Sequence, residues 1–184
     1  MYFDKTGRIF EADEIENILQ KIGNGIIHDF QDRFNDVILV GIQRRGVPFA
    51  RRLSKLILQK TGHELPVGTL DITMYRDDIG LRQVLPVIQE TNIPDINEKI
   101  VILCDDALQV GRSIRAALDA ITDFGRPAII RLAVLFDRGN HEFPISADYI
   151  GREIRIPEGC KVSVHWTEID GDDFVQVMKK KIWR

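Results

Sequence analysis

The sequence predicts an α/β fold with a mainly parallel central sheet flanked by helices. Three observations carry this. Segments 37–42 (VILVGI), 100–103 and 129–136 are short apolar runs rich in β-branched residues, the pattern of strands buried on both faces. Helical apolar spacing follows each of the first two. Strand and helix therefore alternate, which indicates parallel pairing.

Taken in order, Ile15, Ile18, Leu19, Ile22 and Ile26 recur at helical spacing. Asp13 followed by Glu16 resembles a capping box at the start of that helix. Gly23 and Gly25 each weaken it by about 1 kcal/mol relative to Ala, so a closely packed neighbour is expected to compensate. After the 37–42 strand, 43–46 is a polar turn, and Pro48 suits the first turn of a second helix. Phe49, Leu53, Leu56 and Ile57 line one face of that helix, and Gly62 is placed to end it. Leu70, Ile72 and Met74 alternate with polar residues and suggest another strand. Segment 76–98 holds charges, Pro86 and Pro94, and is expected to be a long loop with short strands at its edges. The 100–103 strand leads to a helix marked by Ile114, Ala117, Leu118 and Ile121, closed by Gly125 and Pro127. The 129–136 strand follows. Segment 161–169 alternates, and Asp170-Gly171 is a hairpin-turn signal before 174–178.

The 184 residues fit one domain, and 44% apolar with 29% charged residues is ordinary globular composition. No run approaches the roughly 18 apolar residues of a membrane span. The first residues lack the basic-then-apolar order of a signal peptide, so a cytoplasmic protein is expected. A net charge of −3 argues against a surface that grips nucleic acid everywhere, but leaves room for a local basic patch. Cys104 and Cys160 form no CxxC pair. The four histidines show no ligand spacing and are expected at the surface or in packing.

Chemistry concentrates in 101–113, VILCDDALQVGRS. An apolar strand ends in Asp105 and Asp106, a short loop with Gly111 follows, and Ser113 opens a helix. Ligands of α/β sheets collect at the carboxyl ends of strands. A helix start offers free N–H groups and a positive dipole end to a phosphate. The neighbouring carboxylates can accept hydrogen bonds from sugar hydroxyls or assist a metal. Together these features describe a site for a ribose phosphate. Paired aspartates alone would equally suit a phosphoacceptor or nucleotide-hydrolysing site, or a solvated strand end.

The order of strand, two acids, loop, Gly-x-Ser and helix resembles the phosphoribosyl pyrophosphate (PRPP) signature of type I phosphoribosyltransferases. The wider chain resembles one branch of these, the PyrR family of pyrimidine-operon regulators and uracil phosphoribosyltransferases. The matching segments are VGIQRRGVPFARRL (40–53), PVGTLDITMYRDDI (66–79), the 101–113 signature, IRAALDAITDFGRP (114–127) and LAVLFDRGNHEFPISADYIG (132–151).

The resemblance implies a type I phosphoribosyltransferase fold over 1–184, with a small hood at about 137–160 and a flexible loop at about 76–98. Gln43, Arg44, Arg45 and Gly46 fall on the family's pyrophosphate loop, where a guanidinium fork suits phosphate oxygens. Asp105 and Asp106 would face the ribose hydroxyls, Ala107, Leu108 and Gln109 would bind PRPP beside them, and Val110, Gly111, Arg112 and Ser113 would cradle the terminal phosphate. Mg²⁺ would arrive with PRPP near Asp105 and Asp106. Tyr75, Arg76, Asp77 and Asp78 would begin the flexible loop. Arg44, Arg45, Arg76, Asp105 and Asp106 are the implied catalytic set. Asp137 and Arg138 are the candidates for base contact.

The implied activity is formation of UMP and pyrophosphate from uracil and PRPP. A second implied role is UMP-responsive binding of pyrimidine-operon messenger RNA by a dimer or higher homo-oligomer, with Arg126, Arg131, Arg152 and Arg155 as candidate contacts, and Arg138 beside them. One alternative is a regulator or nucleotide sensor with weak or no transferase activity. Another is a transferase for a different base. The chain departs from the family's Thr-Gly-x-Thr loop at Val110 and Ser113, and Gln109 replaces a common aromatic residue. Val110 forfeits a hydroxyl to phosphate, so weaker PRPP binding and slow catalysis are expected.

Overall fold

A computed structural model describes residues 7–79 and 87–179. Strand β1 (Arg8–Glu11) runs directly into helix α1 (Ala12–Phe30), and a 3-10 segment (Gln31–Asp36) leads to β2 (Val37–Ile42). Helix α2 (Gly46–Thr61), β3 (Val67–Leu70), a short 3-10 turn (Thr73–Tyr75) and β4 (Ile100–Leu108) follow. The order continues with α3 (Arg112–Ile121), β5 (Ile129–Asp137), β6 (Tyr149–Glu153), β7 (Cys160–His165), α4 (Thr167–Asp170) and β8 (Phe174–Lys179).

The central sheet has the strand order β3-β2-β4-β5-β6, with every neighbouring pair parallel. A second, antiparallel sheet has the order β1-β8-β7. The predicted α/β class is the observed one. Every residue of β2 is buried, because helices cover both faces. Side chains alternate along a strand, so Leu39 and Ile102 pack under Leu19, Leu53 and Ile57 of α1 and α2. Val40 and Leu103 pack under Ile114, Ala117 and Ile121 of α3. The small sheet joins the α1 side through Phe10, Val164, Trp166 and Val175.

The glycines of α1 have the packing partner that their helix cost requires. A Cβ on Gly23 would lie 2.5 Å from Leu56 Cδ2, and one on Gly25 would lie 3.2 Å from Tyr149. Close approach of α2 and β6 needs the missing side chains.

Several boundaries differ from the sequence reading. Helix α1 starts at Ala12, and its capping contact runs from the Glu11 N–H to the Glu14 carboxylate at 3.3 Å, not between Asp13 and Glu16. The extended β1 delivers the chain to the helix start earlier. The strand over 70–74 ends at Leu70; Thr73–Tyr75 coils into a 3-10 turn and leaves Met74 65% exposed. Strand β4 continues to Leu108, so Asp105 and Asp106 lie within it. The cause is pairing with β5, in register to Leu108 opposite Asp137. Tyr149–Glu153, assigned to the hood from sequence, is the parallel edge strand of the central sheet. Asp170-Gly171 belongs to a longer connection containing α4, not to a two-residue hairpin. Part of the expected 76–98 loop, residues 80–86, lies outside the described residues. Thr69 and Asn92 form a bridge within the described remainder.

Candidate active site

The register of the parallel strands brings their carboxyl ends together. Gly41 pairs with Cys104, and Cys104 with Ala133. The turn after β2, the end of β4 and the start of α3 thus meet at one edge of the sheet, the edge where α/β ligands bind. They enclose a cleft of about 650 Å³. Gln43, Arg44, Arg45, Arg76, Asp105, Asp106, Ala107 and Ser113 line it. Segments far apart in sequence that were expected to act together share this cleft.

The 43–46 turn is pressed against β4. A Cβ on Gly46 would lie 2.1 Å from the Cys104 carbonyl oxygen, so only glycine fits there. The Gln43–Arg44 peptide is cis. Gln43 Nε2 donates to the Glu90 carbonyl at 3.0 Å. Arg44 is exposed. Arg45 is tied to the β7–β8 connection, with its Nη1 donating to Asp170 at 2.7 Å.

Asp105 is 9% exposed and Asp106 half-buried. Burial and the adjacent Asp106 charge hold the Asp105 carboxyl well above the usual carboxylate range. Burial also raises Asp106, against the opposing charge of Arg45. Asp105 Oδ1 accepts the Asp106 N–H at 2.9 Å. These are costly groups to keep ionised without a ligand.

Across the cleft, Gly111 caps α3 with a φ of 93°, a left-handed conformation suited to glycine. Ser113 stands in the first turn, where helix N–H groups and the positive dipole end face the cleft wall. Arg76 Nη1 donates to Ser113 Oγ at 3.1 Å, while its Nε and Nη2 hold Asp78 at 2.8 and 3.0 Å. Arg112 pairs with Asp77 at 2.8 Å and Glu142 at 3.0 Å. The 75–78 segment is therefore clasped to α3 by alternating charges. Tyr75 adds a hydroxyl bond to Asp123.

The base-contact candidates lie at the end of β5 but not in the cleft wall. Arg138 is 9% exposed and spans Gln109 and the Cys160 carbonyl, with Nη2 3.1 Å from the latter. Asp137 Oδ1 accepts the Gly139 N–H at 2.8 Å and contacts His141 Nε2 at 2.8 Å. Two of the arginines suggested for RNA lie along the β5–β6 edge of the central sheet. Arg152 sits level with Phe136 on β5, and Arg131 lies about 16 Å back along that strand by its rise per residue. Arg131 pairs with Asp148 at 3.0 Å and Arg152 with Glu14 at 3.6 Å. Arg126 and Arg155 are exposed.

A family model for the phosphoribosyl transferase domain matches residues 7–165. The bifunctional protein PyrR of Chloroflexus aurantiacus is 47% identical over 94% of this chain and 94% of its own. The bifunctional protein PyrR of Pelotomaculum thermopropionicum is 46% identical over 95% and 97%. The chain belongs to the PyrR family. Among solved structures, a hypoxanthine-guanine phosphoribosyltransferase of Bacillus anthracis superposes with a TM-score of 0.70 at 13% identity, covering 93% of this chain and 97% of that one. This likeness establishes the type I phosphoribosyltransferase fold. Phosphoribosyl transfer is the reaction class of this PyrR-family chain.

Two departures from the family loop have visible surroundings. Gln109, in place of an aromatic residue, accepts a hydrogen bond from Arg138. Val110 accepts the Glu142 and Phe143 N–H groups at its carbonyl, 3.0 and 3.2 Å away, so the loop backbone keeps its support without the hydroxyl. Sequence reasoning missed Asp71, Thr73, Val87 and Gln89, which also line the cleft. Asp71 accepts the Thr73 N–H at 2.7 Å and the Gln89 N–H. The rule that strand ends carry ligands would have found Asp71, one residue beyond β3. No local signal points to Asp170.

Proposed function

We propose that this chain is a uracil phosphoribosyltransferase, forming UMP and pyrophosphate from uracil and PRPP. One observation carries the reading: Arg44 and Arg45, the Asp105–Asp106 pair and Ser113 face a single cleft. That is the charge pattern of PRPP, with a pyrophosphate at one end, ribose hydroxyls in the middle and a phosphate at the other. The same segments are the matching ones in the family signature. Cytoplasmic location, one domain over 1–184 with a hood, and a homo-oligomer of dimer size or larger belong to this reading; the middle of the 76–98 loop, residues 80–86, lies outside the described residues.

In the reaction, the bond between the anomeric carbon and pyrophosphate breaks, and a ring nitrogen of uracil bonds to that carbon and gives up its proton to solvent. The electron pair of the broken bond leaves with pyrophosphate. Arg44 and Arg45 offset its developing charge, and the 43–46 backbone orients it. Asp105 and Asp106 accept hydrogen bonds from the ribose hydroxyls and fix the sugar against the base. The loop 110–113 and the α3 N-terminus hold the terminal phosphate, with Arg76 beside Ser113. Arg76 brings the 75–78 segment to the cleft, where shielding from water matters because water competes with the base as nucleophile.

The described residues hold no cluster of three or more histidine, cysteine or carboxylate side chains suited to a metal. Two carboxylates at the cleft fit a Mg²⁺ carried in by PRPP, which keeps several waters and needs few protein ligands. When bound, it supplies charge neutralisation to pyrophosphate near Asp105 and Asp106. Base recognition falls to the segment after β5, with Asp137 and Arg138 shaping its backbone.

The relatives' designation as bifunctional supports a second role, UMP-responsive binding of pyrimidine-operon mRNA. Arg126, Arg131, Arg152 and Arg155 remain its candidates, while Arg138 is buried. Two assays test the reading. Product formation is compared for uracil, orotate, hypoxanthine and guanine with PRPP; uracil is expected to dominate, and activity with a purine alone would overturn it. Leader-RNA binding is measured against salt with and without UMP; a steep salt slope is expected, and no binding in either state would remove the second role.

A further inference from the structure

The connection between β7 and β8 grips the 43–46 turn across 119 to 125 residues of sequence. Arg45 Nη1 donates to one Asp170 oxygen at 2.7 Å, and Nη2 donates to the other at 3.2 Å. Nη1 also donates to the Val164 carbonyl. The Trp166 indole N–H donates to the backbone carbonyl of Arg45 at 3.0 Å.

Asp170 is itself fixed. Its Oδ2 accepts the Trp166 backbone N–H at 3.0 Å. Trp166 is fully buried and carries the Arg52 guanidinium 4.5 Å from its ring. Arg52 in turn bridges Glu168 and Asp173, with Nη2 2.6 Å from the former and Nη1 2.6 Å from the latter. The connection is thus anchored on α2 independently of Arg45.

Both N–H groups of Nη1 and one of Nη2 are engaged. Nε–H and the second Nη2–H have no partner among the described residues, and Arg45 lines the cleft. An arginine held before its ligand arrives spares the complex the loss of rotamer freedom.

We propose that Asp170 is a positioning residue for phosphoribosyl transfer, holding the Arg45 guanidinium at the cleft wall so that its remaining N–H groups meet pyrophosphate. This rests on the assignment of Arg45 to pyrophosphate made above. Nothing in the local sequence around Asp170-Gly171, a turn signal, announces such a role.

The test uses the full chain and Asp170→Asn, Asp170→Glu, Asp173→Asn, Arg45→Ala and the Arg45→Ala/Asp170→Asn pair. Steady-state rates with varied PRPP and inorganic pyrophosphate as inhibitor are the readout, with thermal unfolding to verify folding. Asp170→Asn is expected to lower kcat/KM for PRPP roughly tenfold to a hundredfold and to weaken pyrophosphate inhibition similarly, with the KM for the base unchanged. Asp170→Glu keeps the carboxylate and should recover most of the loss. Asp173→Asn removes a carboxylate from the same connection but not from Arg45, and should lower thermal stability with little change in rate. The double variant should be no worse than Arg45→Ala. If Asp170→Asn does not fold, Asp170→Ala replaces it in each comparison.

Loss in Arg45→Ala without loss in Asp170→Asn overturns the proposal and leaves the pyrophosphate assignment standing. Equal losses in Asp170→Asn and Asp173→Asn, or losses that multiply in the double variant, overturn it as well. No loss in Arg45→Ala overturns the pyrophosphate assignment and the proposal together.

Discussion

Gly46→Ala is the smallest change that separates the cleft's two charged walls. The added methyl would sit 2.1 Å from the Cys104 carbonyl oxygen, and about 3.0 Å is the closest that such contacts occur. The shortfall of roughly 0.9 Å must be taken up by movement. Strand β4 cannot yield, because β2 and β5 pair with it on both sides. The 43–46 turn therefore moves, carrying Arg44 and Arg45 away from Asp105 and Asp106. Overpacking of this kind costs about 1–3 kcal/mol, or a Tm drop of about 2–12 °C for a chain of this size. A displacement near 1 Å at a reacting centre costs roughly a hundredfold in rate.

The assay pairs thermal unfolding with kcat/KM for PRPP. Gly62→Ala is the control: its φ is 78°, with nothing within 4 Å of the new methyl. It should lower Tm through backbone strain and leave the rate alone. If Gly46→Ala keeps wild-type stability and a rate within twofold, the turn is not held as described and the reasoning fails.

Three other outcomes follow from the same structure. Val110→Thr restores a hydroxyl to the phosphate loop and should tighten PRPP binding by about 1.5–3 kcal/mol, measured by calorimetry; unchanged affinity would show that the backbone already satisfies the phosphate. Asp105 and Asp106 have raised pKa values in the folded chain, so as pH falls the native state takes up protons before the unfolded state does. Their contribution to ligand-free stability should therefore rise as pH falls through the raised values towards the ordinary carboxylate range, while PRPP binding weakens across that window; Asp106→Asn should flatten both slopes in unfolding and binding titrations. Gly23→Ala, which normally strengthens a helix by about 1 kcal/mol, should instead destabilise the protein in urea unfolding, because its methyl meets Leu56 at 2.5 Å; a gain in stability would show that α2 gives way freely.

The fold class was legible because the buried strands are apolar on both faces and amphipathic helices follow 37–42 and 100–103. The pyrophosphate-type turn, the paired carboxylates and the phosphate loop were legible because each is local: adjacent arginines, adjacent aspartates, a glycine before a helix start. What was hidden depends on long-range pairing. Strand β6 shows little alternation to set it apart from the loop before it, and only its register with β5 makes it a strand. Strand β1 has four residues and exists through β8. The end of β4 was misplaced because carboxylates read as loop residues, yet the ladder to β5 carries them. Asp170 escaped for the same reason: its partner Arg45 is 125 residues away.

The most direct test is Mg²⁺-dependent UMP formation from uracil and PRPP by the wild-type chain beside its Asp105→Asn/Asp106→Asn variant. UMP and pyrophosphate should appear in equal amounts with the wild type. The variant should stay folded, with stability at or above wild type near neutral pH because neutral amides replace two carboxyls whose ionised form burial disfavours, and its rate should fall roughly a hundredfold or more. A variant that makes UMP at the wild-type rate would contradict the central claim that these carboxylates hold the ribose of PRPP.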